Sequence, residues 1–119
     1  MPSAPPDGQP VPIDGSLPAA ALAELADGPR AFGIYVHVPF CASRCGYCDF
    51  NTYAPGELAG ATHESYVATQ KSYVDSVLAE LALAARVLDG AAPTVQTVFV
   101  GGGTPTLLPP EDLARILAG

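Results

Sequence analysis

The apolar positions change their period along the chain, and each change marks an element. Ile34-Tyr35-Val36-His37-Val38 is a β-branched and aromatic run that ends at Pro39, which predicts a strand. A loop of about 24 residues follows, long for a compact domain and therefore expected to carry function. From His63 to Leu88 the apolar residues Val67, Val74, Val77, Leu78, Leu81, Ala85 and Leu88 recur at helical spacing, and this stripe is expected to be core. Gly90 stops that helix. Val95 to Val100 predicts a second strand that runs into Gly101-Gly102-Gly103-Thr104-Pro105-Thr106. A last helix starts near Pro110, with proline in its first turn. The order is a βαβα unit of the α/β class, with two parallel strands and a right-handed crossover. Both special loops then leave the carboxyl ends of strands, the edge where such folds bind ligands.

Before residue 31 the pattern is different. Seven of the 13 prolines lie there (Pro2, Pro5, Pro6, Pro10, Pro12, Pro18 and Pro29), with few large apolar residues. Ala19 to Asp27 can form a short helix closed by Gly28-Pro29, too short to stand alone. Residues 1–30 are therefore expected to be a mostly disordered leader, and 31–119 the folded part. Two strands and two helices cannot close a barrel, so the chain reads as the front part of a larger protein.

Charge removes one class of function. Five basic residues against 12 acidic ones give −7, without a basic patch, which argues against a grip on nucleic acid phosphates. The polar, proline-rich start lacks a signal peptide's apolar segment, and no apolar run is long enough for a membrane span. The expected location is the cytoplasm.

Chemistry concentrates in the first loop. Cys41, Cys45 and Cys48 lie within eight residues, an odd number that makes a poor disulfide framework. Three thiolates at C-x3-C-x2-C spacing converge on one soft metal centre. Structural zinc requires a fourth ligand. The two histidines, His37 and His63, read as packed or solvated imidazoles rather than ligands. Cys45-Gly46-Tyr47-Cys48 also has the C-x-x-C form of a redox disulfide, but that reading leaves Cys41 idle, and the helix starts some 14 residues later. Three cysteines suit a four-iron cluster, in which three irons take a thiolate and the fourth stays open to a small chelating molecule.

These residues resemble the radical S-adenosylmethionine enzymes. The cysteine spacing after a first strand is one signature, and Val98-Phe99-Val100-Gly101-Gly102-Gly103-Thr104-Pro105-Thr106 is similar to the family's glycine loop after strand two. Tyr35-Val36-His37-Val38-Pro39-Phe40-Cys41, followed by Cys45-Gly46-Tyr47-Cys48-Asp49-Phe50-Asn51, resembles the oxygen-independent coproporphyrinogen III oxidase-like family. True oxidases of that family carry a fourth cysteine where this chain has Phe50, and the Cys48-Asp49-Phe50-Asn51 run is similar to the HemW-type heme chaperone branch. The resemblance covers about residues 31–119. A small zinc-binding or C-x-x-C redox module is the alternative from another class, and it leaves the glycine loop without a purpose.

The resemblance implies a partial (β/α) barrel whose Cys41, Cys45 and Cys48 hold a [4Fe–4S] cluster. S-adenosyl-L-methionine is the implied cosubstrate, its methionine end lined by Gly102, Gly103 and Thr104, with Tyr35 and Tyr47 beside cluster and ligand or else packed as core. Heme or porphyrin is the implied cargo or substrate, and an electron donor the implied partner. Arg44 reads as a solvated loop residue or as a charge tuning the cluster, and Asp49 as a backbone hydrogen-bond partner or a turn cap.

Overall fold

The computed structural model describes residues 8, 10–28, 30–57, 62–88 and 90–119. Its elements are α1 (Ala19–Ala26), β1 (Phe32–Val38), α2 (His63–Leu88), β2 (Val95–Gly102) and α3 (Pro110–Ala118). Single 3-10 turns lie at Pro55–Glu57 and Pro105–Leu107. The strands pair in parallel, from Gly33 opposite Thr97 to Val38 opposite Gly102. β2 runs two residues beyond its apolar stretch, because Gly101 and Gly102 pair with His37 and Val38.

Alternation along β1 divides the sheet into two faces. Val36 and Val38 are buried, while Tyr35, just before them, is exposed and His37 between them is half-buried. The buried face forms a core with Phe40, Val74, Leu108 and Ile116, and Ile34, Tyr66, Tyr73, Val77, Leu78 and Val100 pack around it. Phe40 sits edge-on to two rings of α2, with centroids 5.7 Å from Tyr66 and 5.3 Å from Tyr73. Two polar fastenings hold the helix to the sheet and to the turn after β2: the Tyr73 hydroxyl donates to the His37 carbonyl at 2.6 Å, and the Gln70 amide donates to the Leu107 carbonyl at 3.1 Å.

α2 matches its expected bounds, and its start has a local cause. The Ser65 amide donates to Thr62 Oγ1 at 3.1 Å, and the Thr62 amide donates back to Ser65 Oγ at 3.2 Å, a reciprocal cap. Gly90 has a φ of 75°, a left-handed stop. The expected core stripe holds only in part. Gln70 and Val74 are buried, but Val67 is 47% exposed and Ala85 lies at the surface. The carboxyl half of the helix leaves the two-stranded sheet, and Leu81 and Leu88 line an apolar cleft of about 660 Å³ with Ile34 and Val98.

In the leader, α1 buries no residue. The chain before it touches α2 at Gly15, where an added Cβ would lie 3.6 Å from Leu83. The part of the disorder expectation that falls on residues 1–7, 9 and 29 lies outside the described residues. Among the described residues, no helix is long and apolar enough to cross a membrane.

Val74 is fully buried under the sheet, whereas Val67 is half open. Val74→Ala in the full-length protein is expected to cost about 2 kcal/mol of stability in chemical denaturation, by lost burial and a residual cavity. Val67→Ala is expected to stay within about 0.5 kcal/mol.

Candidate metal centre

The cysteine loop is fastened where it leaves and rejoins the sheet. Phe40 and Tyr53 form a parallel bridge, in which the Tyr53 amide donates to the Pro39 carbonyl at 2.7 Å and the Cys41 amide to the Tyr53 carbonyl at 3.0 Å. His37 adds a second tie. Its Nε2 lies 2.8 Å from the Asn51 carbonyl, which can only accept, so Nε2 carries the proton. Nδ1 then accepts from the Tyr35 hydroxyl at 2.9 Å. Both ring nitrogens are thereby engaged, so His37 acts as a structural imidazole rather than a ligand.

Arg44 is exposed, in agreement with a solvated loop residue, and it has partners within the loop. Its guanidinium donates to the Thr52 carbonyl at 2.6 Å and pairs with Glu57 at 3.1 Å, so it braces the loop. Glu57 also accepts from the Ala54 amide at 2.8 Å. That amide first, and Arg44 second, hold the Glu57 carboxyl below its ordinary range. A lowered carboxyl keeps its brace above its unfolded pKa and loses it as pH falls through the folded value. Asp49, by contrast, is simply exposed.

The three thiols are free, and they differ in setting. Cys41 is buried, Cys48 half-buried, and Cys45 exposed at the outer turn, where the Cys48 amide donates to the Cys45 carbonyl at 3.0 Å. Among the described residues, no three His, Cys, Asp or Glu side chains are gathered tightly enough for one shared metal ion. Zinc demands such gathering, with each sulfur about 2.3 Å from the same atom. A four-iron cluster would offer each of the three thiolates its own iron.

The glycine loop is seated directly on the cysteine loop. The Gly103 amide donates to the Val38 carbonyl at 2.8 Å, and the Thr104 amide to the Phe40 carbonyl at 2.6 Å. A Cβ on Gly103 would strike the Phe40 carbonyl and come within 2.6 Å of Cys41 Sγ. Gly102 has a φ of 112°, and a Cβ there would lie 2.6 Å from the Val38 carbonyl. Side chains are therefore excluded where the two loops meet.

The structure separates the two tyrosines. Tyr35 is 56% exposed on the open sheet face, stacked on Phe99 at 5.8 Å and close to Gly101. Tyr47 is 90% exposed at the loop tip, which rules out core packing. His63, at the head of α2, is also exposed.

Two residues that the sequence did not single out belong to this site. Thr52 is buried, and its hydroxyl lies 3.5 Å from Cys48 Sγ. Among the described residues the Tyr66 hydroxyl is buried without a partner, in a ring packed against Cys41's neighbour Phe40. Burial first, and Cys41 second, push its pKa up. An orphaned hydroxyl costs about 1–3 kcal/mol, which a sulfur acceptor would offset. Neither residue fits a motif, because a threonine in a loop and a tyrosine on a helix are too common to signal. The donor set of three free thiols, the side-chain-free seat and the orphaned hydroxyl all fit a metal–sulfur group.

Comparison with known proteins agrees with this geometry. The Radical SAM superfamily model matches residues 35–118. The chain is 55% identical over 88 residues to the heme chaperone HemW of Mycobacterium tuberculosis (strain CDC 1551 / Oshkosh), covering 74% of this chain and 20% of that protein. It is 34% identical over 87 residues to the heme chaperone HemW of Escherichia coli (strain K12), covering 72% and 20%. It is 35% identical over 106 residues to the oxygen-independent coproporphyrinogen III oxidase of Bradyrhizobium diazoefficiens, covering 89% and 21%. The chain thus spans about one fifth of the length of these relatives. No solved structure matches it. Both signature loops, the parallel βαβ frame that joins them and the match over residues 35–118 place this chain in the radical S-adenosylmethionine superfamily.

Proposed function

We propose that this chain is the N-terminal, cofactor-binding part of a HemW-type heme chaperone of the cytoplasm, with residues 31–119 opening a partial (β/α) barrel behind the leader of residues 1–30. The observation that carries the reading is the seat of Gly103 on Cys41, which puts the glycine loop against the thiol loop at the carboxyl edge of the sheet.

In this reading Cys41, Cys45 and Cys48 hold a [4Fe–4S] cluster. Bound there, it supplies one-electron reduction of S-adenosyl-L-methionine. The protein's own part is positional. Phe40 and the buried Cys41 keep one side of the site dry, and Arg44 and His37 fix the loop that carries the thiols. The amides of Gly103 and Thr104 are committed to Val38 and Phe40, so what this segment offers a zwitterion is carbonyl oxygens, acceptors for its ammonium group. Tyr35 is near enough to the glycines to border the ligand, and Tyr47 reaches it only if the loop tip folds inward. Heme as cargo is supported by the names of the HemW relatives and by Phe50, exposed at the position where the oxidases place a fourth cysteine. An external electron donor completes the scheme.

Two experiments on the full-length protein test this. After anaerobic reconstitution, heme titration is expected to give a saturable spectral change, and incubation with coproporphyrinogen to give no protoporphyrinogen. Conversion to protoporphyrinogen would identify an oxidase instead. Gly103→Ala is expected to lower bound iron per chain severalfold, because its Cβ meets backbone and sulfur that must shift. Gly101→Ala meets only the ends of the Phe99 and Tyr35 rings and is expected to load nearly as well as the parent.

A further inference from the structure

Thr52 is 2% exposed, yet it is not a core residue by type. Its backbone is held from three sides. Arg44 takes its carbonyl at 2.6 Å, Tyr53 beside it is locked in the bridge to Phe40, and Asn51 before it is tied to His37. The hydroxyl therefore has little freedom, and two acceptors lie near it, Cys48 Sγ and the Phe50 carbonyl, each at 3.5 Å. The same distance means different things for the two. An O–H···O bond has its optimum at about 2.7–2.8 Å, so the carbonyl is a poor partner. Sulfur is larger, and 3.5 Å is an ordinary hydrogen-bonding separation for it.

Metal binding settles the direction of this contact. A ligating cysteine is a thiolate and has no proton to give. Thr52 must then donate, to an acceptor that now carries negative charge, which makes the bond stronger than a neutral one. Hydrogen bonds to ligand sulfur stabilise the reduced, more negative state of an iron–sulfur centre and so raise its potential.

We propose that Thr52 is a positioning residue that donates its hydroxyl proton to the Cys48 thiolate and raises the reduction potential of the group bound there. The proposal rests on the reading of Cys41, Cys45 and Cys48 as cluster ligands. It also gives the Arg44–Glu57 brace a purpose, since that pair fixes the carbonyl of the residue that donates.

The test is a redox titration of the reconstituted full-length protein, without S-adenosylmethionine, for the parent and for Thr52→Val, Thr52→Ala and Thr52→Ser. The two hydroxyl-free variants are expected to shift the midpoint to more negative potential by roughly tenfold in the reduction equilibrium, about 59 mV for one electron. Thr52→Ser keeps the donor and is expected to titrate near the parent. Two hydroxyl-free variants of different size protect the test against one of them failing to fold. Midpoints equal to the parent in whichever hydroxyl-free variant loads would overturn the proposal alone. So would a serine variant that shifts as far as alanine, since bulk rather than the hydroxyl would then be responsible. A parent protein that binds no cluster would overturn the ligand reading, and the proposal with it.

Discussion

Two backbone hydrogen bonds decide the character of this molecule: Gly103 to the Val38 carbonyl, and Thr104 to the Phe40 carbonyl. They continue the parallel ladder past the end of β1 and force the second loop to lie on the first. A side chain cannot occupy that junction, since a Cβ on Gly103 would meet backbone and the Cys41 sulfur together. Gly102 and Gly103 are therefore a packing requirement before they are a ligand-binding one. The reading of the two loops as one site follows from this closeness.

The cysteine loop combines fixed ends with a free tip. Its ends are held by the Phe40–Tyr53 bridge, the His37–Asn51 bond and the Arg44–Thr52–Glu57 brace. Cys45 and Tyr47, at the outer turn, are exposed.

Much of this was legible in the sequence, for reasons that differ by element. The apolar pattern located β1, α2 and β2, with α2 at its observed bounds of His63–Leu88, and Pro110 marked the start of α3. Cysteine spacing and the glycine run marked both loops, because special backbone and special ligands use few residue types. The fate of the α2 stripe was not legible, since periodicity gives a face but not how far a neighbour covers it. Val67 and Ala85 have the right spacing and are nonetheless exposed. Arg44, His37 and Thr52 escaped for another reason. Their roles depend on partners eight, fourteen and four residues away in a loop without periodicity, and only the folded path brings those partners together. The opposite fates of Tyr35 and Tyr47 likewise depend on position in the fold, not on residue type.

The central claim is that the three thiols and the glycine loop form one site, where a bound cluster and S-adenosylmethionine would meet. Electron paramagnetic resonance of the reduced, reconstituted full-length protein tests it directly, recorded with and without S-adenosylmethionine. The account predicts a reduced iron–sulfur signal whose line shape changes when S-adenosylmethionine is added. A signal indifferent to that addition, or a protein that holds zinc and gives no iron–sulfur signal, would contradict it.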